Sequence, residues 1–128
     1  MVRQIMAKVK RLNRERSWDE ISIVIMDDRG IAAVNSDYLG RARPTDVISF
    51  AYPPDAEGLN WSGEVIVNLE RALRAGGRRF DPVKELALYL AHGCDHLSDA
   101  SDDTPPRRQR MRRRELRWLK ELQYNDIV

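Results

Sequence analysis

Residues 81–102 read DPVKELALYLAHGCDHLSDASD, and the architecture follows from them. Asp81 followed by Pro82 opens a helix, because proline is favoured at the first helical position, where its missing N–H has no partner. Beyond it, Leu86, Leu88, Tyr89, Leu90, Cys94 and Leu97 leave almost no polar face. A helix that is apolar nearly all round is a buried one. The stretch therefore predicts a central helix, covered by other elements and ending near Ser98 or Asp99.

The preceding sequence supplies those elements as strands alternating with helices. Ile21 to Met26 is a β-branched run that reads as a strand, and Asp27 or Asp28 caps a helix through Ile31, Ala32, Val34, Asn35 and Tyr38 that Gly40 closes. Pro44 and the following Thr45 to Phe50 open a second strand, which Pro53 and Pro54 end, and residues 53–62 read as a loop. A third strand runs from Gly63 to Val67. Asn68 then caps a helix through Leu69, Ala72 and Leu73 that stops at Gly76 and Gly77. An amphipathic helix is predicted from Val2 to about Arg14, with Ile5, Val9 and Leu12 inward. Another follows Pro105 and Pro106, with Met111, Leu116, Leu119 and Leu122 inward. There is no internal repeat and no linker. The expected architecture is one α/β domain over residues 1–128, a sandwich of a small mixed sheet of three or four strands with packed helices and the histidine-bearing helix at its centre.

Composition narrows the class. A chain of 128 residues can bury roughly two-thirds of its unfolded surface, and its single cysteine, Cys94, excludes a disulfide scaffold and points to a reducing compartment. Apolar runs fall short of the roughly 20 residues a bilayer span needs, and the mean hydropathy is −0.57. The basic start MVRQIMAKVKR has no long apolar stretch of the signal-peptide kind, so the expectation is a cytoplasmic protein with no membrane partner. Net charge is +2, yet its distribution is polar. Asp95, Asp99, Asp102 and Asp103 precede a run of Arg107, Arg108, Arg110, Arg112, Arg113, Arg114, Arg117 and Lys120 broken by one acid, Glu115. Carboxylates suited to a cation thus adjoin a surface suited to polyanions.

His92 and His96, the only histidines, stand four residues apart and so share one face of the helix. Two imidazoles one turn apart can meet one metal ion, and a catalytic zinc takes about three protein ligands. Asp102 or Asp103, after the helix, is placed to supply the third. The pair by itself also fits ordinary helix histidines. The spacing is that of zinc peptidases, but Gly93 stands where those carry their glutamate base, which disfavours that chemistry. Glu85, two turns before His92, reads as a solvated first-turn carboxylate, with orientation of a ligand as its other use.

Three blocks carry a resemblance. HGCDHLSDASD at 92–102 is similar to the HGxLHLxGYDH signature of the YbeY-type bacterial endoribonucleases, RPTDVISFAYPP at 43–54 to their PTDVLSFP strand, and GEVIVNLERA at 63–72 to their GDIVIS strand and following helix. The order and spacing agree over about residues 20–123. The resemblance implies a single-strand-specific, metal-dependent endoribonuclease acting in 16S rRNA 3′-end maturation and ribosome quality control, partnered by that RNA and the ribosome. One zinc would be held by His92, His96 and, in the third histidine's place, Asp102. Thr45, Asp46 and Ser49 are carried over as residues bordering the cleft. Arg41, Arg43, Arg107 and Arg110 are candidate phosphate contacts, and Trp18, Trp61 and Trp118 candidate stacking residues.

The chain also departs from the pattern. Asp95, Asp99 and Ala100 replace leucine, glycine and tyrosine, Leu39 stands where many members have arginine, and Met1 opens almost directly on a helix that the family usually precedes with a strand. Asp95 is expected to face solvent, with pairing to a final-helix arginine or a place near the metal as the alternatives. These departures motivate a second reading, a catalytically weakened RNA- or ribosome-binding module of the same fold.

Overall fold

Strand β1 runs from Trp18 to Met26, β2 from Val47 to Tyr52 and β3 from Trp61 to Asn68. In this computed structural model the described residues are 18–54, 60–75, 81–97 and 104–121, with Gln4 and Ala7. The remaining elements are α1 (Asp28–Leu39), α2 (Leu69–Ala75), α3 (Pro82–Leu97) and α4 (Pro105–Glu121). Gln4 and Ala7 are helical, and the rest of the helix expected over residues 2–14 lies outside the described residues. Among the described residues no helix is long and apolar enough to cross a membrane.

The strands form a mixed sheet in the order β1-β3-β2. Central β3 runs parallel to β1, pairing Ile23 with Val65, and antiparallel to β2, pairing Ile48 with Ile66. Alternate residues of a strand face opposite sides. Val65 and Val67 accordingly join the core under α3 and α4, while Ile66 joins Ile48 and Ile31 under α1. Helices on both faces make this the expected α/β sandwich. Two strands run longer than the β-branched runs that announced them, because pairing of Trp18 with Trp61 extends the sheet past Ile21 and Gly63. Strand β2 begins later than expected: the Asp46 carboxylate accepts from the Val47 N–H at 2.8 Å, making Asp46 a cap to the strand.

Side chains written into the sequence set the helix ends. Asp27 accepts from the Gly30 N–H at 2.7 Å, Asn68 from the Arg71 N–H at 3.0 Å and Asp81 from the Lys84 N–H at 2.9 Å. Such caps contribute about 1 kcal/mol each. Gly40 ends α1 at φ 68°, a left-handed conformation that glycine adopts without strain.

Helix α3 is the central element. Leu88, Leu90, Ala91, Cys94 and Leu97 are buried, as its apolar surround predicts, but so are Glu85 and Asp95. Both expectations of a solvated carboxylate are overturned, because α3 is enclosed on the sides that carry them. At Gly93 the helix lies directly against the sheet: a Cβ there would come within 2.6 Å of Val65 Cγ1 and 2.8 Å of Val47 Cγ2. No side chain fits, so the peptidase base has no place. The final helix also differs from expectation. Its buried residues are Met111, Glu115, Trp118 and Leu119, with Leu116 only half-buried and Leu122 outside the described residues.

Candidate metal and nucleic-acid site

The buried register of α3 presents His92 and His96 on the same side, one turn apart and half-buried. Their rings meet edge to face, with centroids 4.6 Å apart, and the two Nε2 atoms approach to 3.1 Å. That approach is a hydrogen bond when one ring carries its proton on Nε2, and a chelating pair when neither does. Zinc–nitrogen distances are about 2.0–2.1 Å, so two nitrogens at this separation fit one ion.

Glu115 decides which nitrogen of His92 is bare. Its carboxylate, 1% exposed, lies with Oε1 at 3.1 Å and Oε2 at 3.0 Å from His92 Nδ1. Accepting the Nδ1 proton fixes the tautomer that leaves Nε2 unprotonated on the His96 side. This carboxylate–histidine arrangement recurs behind metal-ligating imidazoles. Sequence reasoning noted Glu115 only as the single acid in a basic run. The signal was helical phase: Met111, Glu115 and Trp118 follow one another at four and three residues, an inward stripe.

Asp102 and Asp103, the residues expected to supply a third ligand, lie outside the described residues, as does Asp99. Among the described residues, no three His, Cys, Asp or Glu side chains gather in a cation-binding group; the site described consists of two imidazoles and the carboxylate behind one of them.

Asp95 turns away from solvent and meets α4. Arg114 Nη2 donates to its Oδ1 at 2.7 Å and Nε to its Oδ2 at 3.3 Å. Burial pushes the Asp95 carboxyl up to about 6 and outweighs the Arg114 guanidinium, while neighbouring Glu115 pushes it further up. Burial, followed by the charge of Asp95, likewise pushes the Cys94 thiol up to about 12, leaving it an unreactive core group. Glu85 is buried beside Tyr89, whose hydroxyl is raised to about 12 chiefly by burial and then by the Glu85 charge.

A cleft of about 700 Å³ opens beside the histidines and brings together His96, Arg41, Arg43, Thr45 and Ser49, with Asn35, Leu39 and Arg71. The Gly40 cap turns the chain into this wall, and Asn35 Nδ2 holds it by donating to the Arg43 carbonyl at 2.8 Å. Ser49 Oγ donates to the Gly93 carbonyl at 2.7 Å, tying the cleft wall to the peptide between the histidines. Thr45 Oγ1 donates to Asp46 at 3.3 Å, and the Asp46 side chain serves its own turn without lining the cleft. Arg71 was missed because its approach depends on where α2 leaves the sheet.

Arg107 and Arg110 are exposed on α4 and line neither hollow beside the histidines. Arg108 and Arg112 instead border a second hollow of about 310 Å³ with His92, Met111 and Glu115. The reason is phase, since residues 108, 112 and 115 share the face turned toward α3. Trp118 is buried under Arg114, whose guanidinium lies 5.9 Å from the ring centroid. Trp18 and Trp61 pack on each other with centroids 6.1 Å apart.

Known proteins bear on this arrangement. The family described as Endoribonuclease YbeY matches residues 1–123. A protein named Endoribonuclease YbeY from Rhodopirellula baltica is 35% identical over 106 residues, covering 78% of this chain and 52% of the relative. Its namesake from Anaeromyxobacter sp. is 38% identical over 103 residues, covering 78% and 53%. That from Desulfitobacterium hafniense is 32% identical over 126 residues, covering 90% and 79%. The chain thus spans about half the length of the first two relatives and most of the third. With the family matched over nearly all its residues, this chain belongs to the endoribonuclease YbeY family.

Proposed function

We propose that the chain is a metal-dependent endoribonuclease that cleaves single-stranded RNA, in the cytoplasm, during 16S rRNA 3′-end maturation and ribosome quality control, with precursor rRNA and the ribosome as partners. One observation carries the reading: two Nε2 atoms lie 3.1 Å apart, that of His92 backed by a buried carboxylate and that of His96 on a ring that lines a cleft together with Arg41, Arg43 and Arg71. His92, His96 and Asp102 would hold one zinc, with Asp103 the competing third ligand. The chemistry such an ion supplies is polarisation of a water and of the phosphate under attack.

The chain's own residues do the rest. Glu115 keeps His92 in the tautomer that presents Nε2. Arg41, Arg43 and Arg71 attract and place the phosphate backbone, and Ser49 fixes the cleft wall to the histidine helix. Metal analysis of protein purified without chelators, together with cleavage of single-stranded RNA, tests the reading. About one zinc per chain is expected, lost along with cleavage in His92→Ala, in His96→Ala and in Asp102→Ala.

Buried Asp95, standing where the family signature has leucine and paired with Arg114, favours a second reading as an RNA- or ribosome-binding module with weakened catalysis. RNA binding that survives the three substitutions, without zinc or cleavage in the parent protein, would establish that reading and overturn the first.

A further inference from the structure

Trp118 is buried and Trp18 packs on Trp61, and a further aromatic strip lies elsewhere. Tyr38, at the end of α1, meets Phe50 edge to face with centroids 5.5 Å apart, and Phe50 stacks on Tyr52 at 6.3 Å and 23°. Phe50 also packs on the core under α1, so the strip is anchored at its middle. Its two ends are open: Tyr38 is 71% exposed and Tyr52 49%. Large exposed rings set side by side mark a candidate binding surface.

The strip begins where the cleft ends. Leu39, next to Tyr38, and Ile48 and Ser49, next to Phe50, line the cleft with Arg41 and Arg43. Alternate residues of β2 place Ile48, Phe50 and Tyr52 on one face, and among the described residues β2 pairs only with β3, leaving the strip along the sheet's edge. Charge separates the two parts. Arginines stand at the cleft end, whereas Glu64, paired across from Phe50, sets its carboxylate beside Tyr52. A phosphate is favoured at the first and disfavoured at the second, where an uncharged ring fits. Unpaired bases on a charged backbone have that alternation, and stacking on aromatic side chains tolerates any base.

We propose that Tyr38, Phe50 and Tyr52 form a base-stacking strip that guides single-stranded RNA into the cleft, with phosphates on Arg41 and Arg43 and bases on the two tyrosine rings. The inference rests on the reading of the chain as an RNA-cleaving enzyme and adds how a single strand is recognised. Bases within a duplex already stack on each other and present no free face to the rings.

The test measures binding of a short oligouridine, and of the same backbone with abasic spacers, to the full chain over a range of salt. Tyr38→Ala/Tyr52→Ala is expected to bind oligouridine roughly 10-fold or more weakly and to lose the preference over the abasic strand. Its salt dependence should match that of the parent, because stacking releases no counterions, and its zinc content should be unchanged. Tyr38→Phe/Tyr52→Phe, which keeps the rings, should bind like the parent. An alanine variant that retains both affinity and abasic discrimination overturns the strip while leaving the enzyme reading intact, and would point to a protein partner for these rings. A phenylalanine variant as weak as the alanine one also overturns it. A parent protein that binds neither strand removes the RNA reading itself, and the strip with it.

Discussion

Two arginine–carboxylate pairs in this molecule have nearly the same geometry and opposite electrostatics. Arg74 donates to Asp28 at 2.6 and 3.2 Å, and Arg114 to Asp95 at 2.7 and 3.3 Å. The first pair lies at the open end of α1, where Asn68 also donates to Asp28, and these bonds hold its carboxyl well below the ordinary range. The second is enclosed between α3 and α4, where burial outweighs the guanidinium and raises Asp95 to about 6. Contact distance is therefore a poor guide to what an ion pair does. The water each carboxylate has given up sets the sign.

The comparison is broken most forcefully by removing the cations. Arg114→Leu strands a buried carboxylate beside Glu115 and is expected to lower stability by about 3–5 kcal/mol, read from the urea midpoint, whereas Arg74→Leu should move that midpoint far less. Replacing the whole buried pair, as Asp95→Leu/Arg114→Met, should recover most of the loss, since an apolar pair of similar volume often equals an ion pair in such a place. Loss as large in the double variant as in Arg114→Leu would count against burial as the cause.

Glu115→Gln tests the carboxylate that shares the same buried space. The amide keeps the shape but accepts the Nδ1 proton less strongly, so zinc affinity should fall roughly 10- to 100-fold, measured by competition with a chromophoric chelator, with far-ultraviolet dichroism unchanged. The exposed pair predicts an acid response. A carboxyl whose folded value is depressed contributes stability that is present above its unfolded value, about 3.9, and is lost as pH falls toward the folded one. Asp28→Asn should therefore lower stability modestly at neutral pH, where the ion pair contributes, and flatten the further loss below about pH 4, so that parent and variant converge in acid. The smallest effect concerns Cys94. With its thiol raised by burial, it should stay unmodified by a thiol reagent at pH 8 in the native protein and react fully in guanidinium.

What the sequence made legible divides along similar lines. Strand runs, caps at Asp27, Asn68 and Asp81, and the Gly40 stop are local matters, decided by residues within a turn of one another, and they were readable. So was the pairing of His92 and His96 on one helical face. The burial of Glu85, Asp95 and Glu115 was not, because a charged residue is placed inside only by partners on other elements, such as Arg114 for Asp95 and His92 for Glu115. Arg71 and the aromatic strip were hidden for the same reason: α2 and the α1–β2 contact reach them through the sheet. Within the continuous basic run, one residue of phase decides whether a side chain meets α3, as Arg108 and Arg112 do beside His92, or solvent, as Arg107 and Arg110 do.

The close approach at Gly93 makes the histidine helix and the strand beneath it a single mechanical part. With Val65 and Val47 against the bare peptide and Ser49 bonded to its carbonyl, α3 has neither the clearance to roll nor the slack to slide along the sheet. The imidazoles cannot be re-aimed without carrying the cleft wall along, so ligand spacing and cleft shape are inherited together. A variant that enlarges residue 93 would displace both at once, like moving a jig with the workpiece clamped in it, whereas changes at the solvent-facing arginines of α4 leave that alignment untouched.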